Sequence, residues 1–140
     1  MNAARTNVRT FIDTNILIYA FTTDELEKQQ IAVKALDNCI PVISTQVIKE
    51  FANILLKKTN LNKQDIEDVI NDIINVSDIR NEKIELIFDA FDIHMKYQYS
   101  FYDSLIIAAG IDADCQILLS EDMKNGQIIE GKLQIVNPFI

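Results

Sequence analysis

The sequence predicts an α/β fold in which helices cover both faces of a central parallel sheet of four to five strands. Short apolar runs alternate along the chain with longer segments of helical periodicity, the pattern of parallel strands joined by crossover helices. The chain has 140 residues, about the length of one typical domain. Its residues are 49% hydrophobic, which suffices for one buried core at this size. We therefore expect one three-layer α/β/α domain over residues 1–140.

The first strand and the first two helices are predicted from the N-terminal 38 residues. Residues 8–12 form a short β-type run, and Asp13-Thr14-Asn15 are residue types that favour helix caps. The compact apolar segment 16–21 then predicts a helix. Thr22-x-x-Glu25 has the spacing of a capping box and predicts a second helix. The inner stripe expected for that helix is Leu26, Val33 and Leu36.

The middle of the chain predicts two strands and two amphipathic helices. Pro41-Val42-Ile43 is the expected second strand, and Ser44 or Thr45 caps the helix after it. The apolar positions of that helix are Val47, Ile48, Phe51, Ile54 and Leu55. Asn62 caps the next helix, whose apolar face has the helical spacing of Ile66, Val69, Ile70 and Ile73. Residues 76–79 predict a brief third strand.

The remaining segments predict two more helices and two more strands. A helix from Asn81 is expected to point five apolar side chains inward, namely Ile84, Ile87, Phe88, Phe91 and Met95. A further helix begins at Ser100 and is apolar on nearly all sides, so we expect it deep in the core. Residues 116–119 and 133–136 complete the predicted sheet.

Composition excludes several classes of protein. The chain has 13 Lys and Arg against 21 Asp and Glu, a formal net charge of −8, the wrong sign for a nonspecific nucleic-acid binder. No apolar stretch approaches the length of about 18 residues that suits a membrane span, and residues 1–7 contain no apolar leader segment. Cys39 and Cys115 lack the spacing of a zinc site. We expect a cytoplasmic protein with reduced, buried thiols and no membrane association.

Four acidic residues stand out, although each has a structural explanation when taken singly. Asp13 and Asp122 follow predicted strands as cap or turn residues, and Ser100-x-x-Asp103 has the form of a capping box. Glu50 lies at the border of the apolar face of its helix. Ligand sites of parallel sheets lie beyond the carboxyl ends of the strands, where Asp13 and Asp122 are predicted.

Together, the four carboxylates predict a metal site. Like charges in a half-buried cleft repel one another unless a cation compensates them. Oxygen ligands without His or Cys suit Mg²⁺ or Mn²⁺, and such ions support phosphodiester hydrolysis. A phosphatase fits less well, because Asp13-Thr14-Asn15 lacks the second aspartate of the Asp-x-Asp nucleophile motif.

Four ordered motifs resemble those of PIN-domain nucleases. They are Phe11-Ile12-Asp13-Thr14-Asn15, Ser44-Thr45-Gln46-Val47-Ile48-Lys49-Glu50-Phe51, Ser100-Phe101-Tyr102-Asp103-Ser104-Leu105-Ile106-Ile107-Ala108-Ala109 and Leu119-Ser120-Glu121-Asp122. The chain most resembles the VapC-type ribonuclease toxins of toxin–antitoxin pairs, also in its Val136-Asn137-Pro138-Phe139 tail. The resemblance implies a single PIN-like domain.

The resemblance also implies a function and a site. It implies Mg²⁺- or Mn²⁺-dependent cleavage of RNA, with the catalytic and metal-binding residues Asp13, Glu50, Asp103 and Asp122. Ser120 matches a residue that helps to orient water or metal, and Thr14 and Asn15 shape the first motif. A cognate antitoxin and a homodimer are the implied partners. A housekeeping PIN nuclease in RNA processing and a noncatalytic PIN-like module that binds RNA or protein remain the alternatives.

Three other polar residues lie near these motifs or in an apolar stripe. Lys124, two residues after Asp122, is either a phosphate contact or a solvated loop residue. Glu121 adjoins Asp122, but adjacent side chains of an extended segment point to opposite sides, so we assign Asp122 to the site. His94, the only histidine, is expected to have a structural or surface role.

Overall fold

The computed structural model describes residues 7–140 and contains a six-stranded sheet with six helices. Residues 1–6, which belong to the predicted domain, lie outside the described residues. The strands are β1 (Arg9–Ile12), β2 (Ile40–Ser44), β3 (Asp78–Arg80), β4 (Ile117–Leu119), β5 (Ile128–Ile129) and β6 (Leu133–Val136). The helices are α1 (Thr14–Phe21), α2 (Leu26–Asp37), α3 (Thr45–Lys58), α4 (Lys63–Val76), α5 (Glu85–Tyr97) and α6 (Phe101–Asp112). Across the part of the chain described, each helix is too short or too polar to span a membrane.

The strand order is β3-β2-β1-β4-β6-β5, with parallel pairing everywhere except between β5 and β6. This confirms the predicted α/β class and its central parallel sheet. The short antiparallel strand β5 is an addition at the sheet edge, and sequence analysis missed it because its two residues lie within a predicted loop. Because β1 and β4 pair in parallel, with Ile12 opposite Leu119, the segments that follow them emerge at the same edge.

Helix α6 lies deep in the core, as predicted. Six of its residues are buried: Ser104, Ile106, Ile107, Ala108, Ala109 and Gly110. A Cβ atom at Gly110 would stand 3.3 Å from Phe11 Cβ and 3.3 Å from Leu133 Cδ2. Glycine therefore allows α6 to pack closely against β1 and β6.

The predicted inner face of α5 is wrong. Ile84 precedes the helix, and it is exposed together with Phe88, Phe91 and Met95, whereas the buried residues of α5 are Leu86, Ala90 and Ile93. The helix has two apolar stripes, and periodicity alone favoured the one with larger side chains. The smaller stripe is the buried one in a helix that packs extensively on α6. Helix α5 also begins at Glu85, later than the predicted Asn81.

The capping box predicted before α2 is also wrong. The Thr22 hydroxyl donates a hydrogen bond to the Ile18 carbonyl at 2.7 Å, so it ends α1. Glu25 is the N-cap of α2, with no side-chain hydrogen bond to the cap. Of the predicted inner stripe Leu26 and Val33 are exposed, and Ala32 is the buried residue. The third strand occupies Asp78–Arg80, shifted by up to two residues from its predicted position.

Candidate active site

One pocket at the carboxyl edge of the parallel strands is lined by all four predicted carboxylates. Asp13 lies between β1 and α1, Glu50 on α3, Asp103 in the first turn of α6, and Asp122 in the loop after β4. The other lining residues are Thr14, Asn15, Ile18, Tyr19, Ile54, Tyr102 and Ile106. Residues that are distant in sequence therefore meet at one surface.

Asp13 is the most buried of the four, with 6% of its surface exposed. Its carboxylate accepts hydrogen bonds from the Ser120 hydroxyl and from the Thr14 backbone N–H, each at 2.7 Å. Burial raises the pKa of Asp13 from 3.8 to about 6; the two hydrogen bonds oppose this change, and the charges of Asp103 and Glu50 reinforce it. Asp13 is thus a desolvated carboxylate that repels its neighbours.

Glu50 is held by neighbours on two helices. The Thr14 hydroxyl donates to Glu50 Oε2 at 2.7 Å, and Gln46 Nε2 donates to Oε1 at 3.1 Å. Thr14 therefore connects α1 to α3, while Gln46 lies one helical turn before Glu50. The sequence analysis gave Gln46 no role, although its four-residue spacing from Glu50 is a recognisable helical pair.

Asn15 and Ser120 organise the loop that carries Asp122. Asn15 Nδ2 donates to Asp122 Oδ2 at 3.0 Å, and the Glu121 backbone N–H donates to Asn15 Oδ1 at 3.3 Å. The Asp122 N–H also donates to the Ser120 hydroxyl oxygen at 3.3 Å. Thr14 contacts both Asp13 and Glu50, and Ser120 contacts Asp13. Asn15, which was expected to shape the first motif, contacts Asp122 instead.

Asp103 is held by its helix cap. The Ser100 hydroxyl oxygen accepts a hydrogen bond from the Asp103 backbone N–H at 3.1 Å, which is one of the two hydrogen bonds of the predicted capping box. Burial raises the pKa of Asp103, and the negative charges of Asp122 and Glu50 raise it further. Ser100 therefore caps the helix through the backbone of Asp103, and the side chain of Asp103 adds charge to the pocket.

The donor set of the pocket fits a hard divalent cation. The polar residues that line it offer carboxylate, hydroxyl and amide oxygens, the ligands that Mg²⁺ and Mn²⁺ prefer. Asp13, Glu50, Asp103 and Asp122 also influence one another electrostatically, a repulsion that a cation would relieve. Within residues 7–140, however, no three His, Cys, Asp or Glu side chains form a preassembled ion-binding group.

Two neighbours of Asp122 lie apart from the pocket. Glu121 forms an ion pair with Lys28 at 2.5 Å and accepts a hydrogen bond from the Tyr19 hydroxyl at 2.6 Å. Lys124 is exposed on the same loop and its backbone N–H donates to the Tyr99 hydroxyl. Among the described residues that line the pocket, Lys124 is absent. A phosphate contact by Lys124 therefore stays a prediction.

Tyr102 lines the pocket, whereas His94 contacts the backbone before α6. Tyr102, 66% exposed, lines the pocket next to Asp103, a role that sequence analysis did not give it. His94 lies near the end of α5, where Nδ1 is 2.5 Å from the Tyr99 carbonyl oxygen. That contact agrees with the expected structural role of His94.

Comparison with known proteins identifies the family. A family model described as PIN domain matches residues 10–125. The search of curated proteins gives no match. Solved structures with the same fold include a toxin–antitoxin complex from Klebsiella pneumoniae, with a TM-score of 0.69 at 21% identity over 92% of this chain and 97% of that chain.

Two further structures share the fold at lower identity. VapC20 from Mycobacterium tuberculosis, described as a sarcin–ricin loop cleaving toxin, has a TM-score of 0.64 at 15% identity over 78% of this chain and 86% of that chain. VapBC2 from Rickettsia felis, bound to a DNA fragment from its promoter, has a TM-score of 0.67 at 16% identity over 93% of this chain and 100% of that chain. The family match spans most of the sequence and includes all four carboxylates. The chain belongs to the PIN domain family.

Proposed function

We propose that the protein is a Mg²⁺- or Mn²⁺-dependent endoribonuclease that hydrolyses RNA phosphodiester bonds as the toxin of a type II toxin–antitoxin pair. The observation that supports this most directly is the convergence of Asp13, Glu50, Asp103 and Asp122 on one pocket of a PIN domain. Its structural neighbours include a toxin and a toxin–antitoxin complex. The cytoplasm, where RNA is abundant, is the proposed site of action.

In this proposal the four carboxylates hold the cation. A bound divalent ion supplies charge neutralisation at the phosphate and lowers the pKa of water. Ser120 orients Asp13 and stabilises its charged form through the 2.7 Å hydrogen bond. Thr14 and Gln46 orient Glu50, and Asn15 orients Asp122.

The proposal is tested by incubating purified protein with a mixed RNA pool and with total cellular RNA, in Mg²⁺, Mn²⁺ or EDTA. We expect cuts in the presence of either metal, loss of cutting in EDTA, and recovery when Mg²⁺ is restored. The resemblance implies 5′-phosphate and 3′-hydroxyl ends, which ligation and phosphatase treatment distinguish. Equal cutting in EDTA, or intact RNA under every condition, would contradict a metal-dependent ribonuclease.

We propose a cognate antitoxin as the protein partner. One structural neighbour is described as a toxin–antitoxin complex and another as a toxin. An acidic pocket suits a peptide that presents Arg to the carboxylates. A short adjacent reading frame for a DNA-binding protein favours the toxin role, while its absence favours the housekeeping nuclease; a folded protein that binds RNA without cutting it would favour the noncatalytic module.

An exposed apolar face supports the proposed homodimer. The α5 face, defined as Ile84, Phe88, Phe91 and Met95, is exposed. The Phe91 ring packs against the Phe101 ring, with 5.7 Å between the ring centroids. The Phe101 ring in turn packs against the Tyr102 ring, with 5.5 Å between the centroids. A contiguous apolar patch of this kind is typical of an interaction surface.

We expect Phe88→Glu to convert the homodimer into a monomer, because Phe88 is 65% exposed and the charge would be desolvated in the interface. Static light scattering at micromolar concentration measures this change. Asp89→Asn, at an adjacent exposed position, is the control for a change in surface charge. A wild-type protein that is monomeric at these concentrations would contradict the homodimer.

A further inference from the structure

We propose that Lys28 is a positioning residue that holds Glu121 away from the acidic pocket and thereby fixes Asp122 in the pocket for cation binding. We name Lys28, Tyr19 and Glu121 the Lys28 clamp. This inference rests on the proposed function, because it concerns the affinity of the same site for a divalent cation. It assigns a role to α2, which contributes no residue to the pocket lining within the described chain.

The Lys28 clamp occupies both carboxylate oxygens of Glu121. Lys28 Nζ lies 2.5 Å from Oε2, and the Tyr19 hydroxyl donates to Oε1 at 2.6 Å. Lys28 Nζ also donates to the Tyr19 hydroxyl oxygen at 3.2 Å. The Glu121 side chain is therefore fully engaged by α1 and α2.

Two aromatic rings lie against the Lys28 ammonium group. Lys28 Nζ lies 4.6 Å from the centroid of the Tyr19 ring and 5.3 Å from that of Phe139, within the range of cation–π attraction. The two rings pack edge to face at 5.0 Å. The Lys28 and Glu121 side chains are 32% and 24% exposed, so both groups of the pair are partly covered.

The backbone transmits the clamp to the pocket. The N–H and carbonyl of Glu121 are each bound, by Asn15 Oδ1 at 3.3 Å and by Asn137 Nδ2 at 3.4 Å. The next residue, Asp122, lines the pocket and accepts a hydrogen bond from the same Asn15. Anchoring Glu121 on one side of the loop therefore directs Asp122 to the other side.

Loss of Lys28 would have two consequences for the site. Glu121 would become an uncompensated carboxylate beside a pocket already lined by four. The loop that carries Asp122 would also lose one of the contacts that hold it. Outer contacts that orient metal ligands typically change metal affinity about 10- to 100-fold when they are removed. We expect the lower end of that range, because Tyr19 and Asn15 still hold the loop.

The test is Mn²⁺ binding to metal-free protein, followed by the electron paramagnetic resonance signal of unbound Mn²⁺. We expect Lys28→Met to weaken Mn²⁺ binding about tenfold. Lys28→Arg should keep the Mn²⁺ affinity within about threefold of the wild-type value, because Arg also pairs with a carboxylate. Lys34→Met, an exposed lysine of the same helix, should bind Mn²⁺ like the wild type. Glu121→Gln combined with Lys28→Met should bind more tightly than Lys28→Met alone.

The outcomes separate the clamp from the proposed function. Wild-type affinity in Lys28→Met, or no recovery in the double variant, would overturn the clamp and leave a metal-binding wild-type nuclease in place. Failure of the wild-type protein to bind Mn²⁺ would overturn both the metal-dependent function and the clamp. A lower melting temperature with unchanged Mn²⁺ affinity of the folded protein would reveal a purely structural role for Lys28, which also overturns the proposal.

Discussion

Asp13→Asn is expected to reduce metal-dependent RNA cleavage at least about a hundredfold while the protein remains folded. Removal of even an outer contact of a metal site costs up to about 100-fold, and Asp13 is proposed as a direct ligand. Asparagine retains the shape of the side chain and one of the two oxygens that accept hydrogen bonds from Thr14 and Ser120, but it lacks the charge. The measurement is the cleavage rate of the RNA pool in Mg²⁺ and in Mn²⁺.

The same substitution is expected to stabilise the metal-free protein at neutral pH. Burial raises the pKa of Asp13 to about 6 from 3.8, so the folded state binds the proton more tightly than the unfolded chain. The stability that protonated Asp13 contributes is present below about pH 4 and is lost as the pH rises through about 6. At pH 7.5 Asp13→Asn should raise the free energy of unfolding by up to about 3 kcal/mol.

Denaturant unfolding in EDTA at pH 7.5 and pH 4 measures this difference, which should shrink towards the lower pH. Asp72→Asn is the matched control, because Asp72 is exposed on α4. It should keep the cleavage rate and change stability by less than about 0.5 kcal/mol. Full activity of Asp13→Asn would contradict a role for Asp13 in the site. A wild-type protein more stable than the variant at pH 7.5 would contradict the destabilisation expected from burying the charged Asp13 carboxylate.

Leu55→Ala is expected to destabilise the protein by about 2–5 kcal/mol, whereas Leu56→Ala changes stability by less than about 0.5 kcal/mol. The two leucines are consecutive on α3, but Leu55 is 0% exposed and Leu56 is 67% exposed. Only the first substitution leaves a cavity in the core. For a domain of this size, Leu55→Ala should lower the melting temperature by about 10 °C.

Thermal unfolding of the two variants side by side provides the measurement, and each serves as the control of the other. The chemical change is identical and the helix propensity rises equally in both. Similar losses in the two variants would contradict the orientation of α3 and therefore the direction in which Glu50 points.

Local patterns predicted the elements that have one apolar stripe and a clear cap. Helix α4 follows its spacing, with Ile66 and Ile73 buried and a capping box formed by Asn62 and Asp65. Helix α5 has two apolar stripes, and only the packing partner determines which is buried. The Thr22 hydroxyl could cap either of two helices, and in the structure it donates a hydrogen bond to the Ile18 carbonyl of α1.

In the candidate site, too, some features follow from local sequence patterns and others depend on the tertiary fold. The positions of Asp13, Asp103 and Asp122 were predictable because they follow a strand or lie in the first turn of a helix, and Glu50 stands in a recognisable motif on α3. The contacts around them depend on the tertiary fold: Lys28 and Glu121 are 93 residues apart in sequence, so no periodicity relates them. Gln46 is the exception, since its partner lies on the same helix.

The missing side chain at Gly110 bears on the position of Asp103, because both residues lie on α6. Gly110 lies two helical turns, or about 10 Å, from Asp103 along α6, and it fits against Phe11, two residues before Asp13. A Cβ atom at position 110 would meet Phe11 and Leu133 at 3.3 Å, so these neighbours or the helix would have to shift by a few tenths of an ångström. The spacing of the helix that carries Asp103 from the strand that leads to Asp13 therefore depends on a glycine that does not line the pocket.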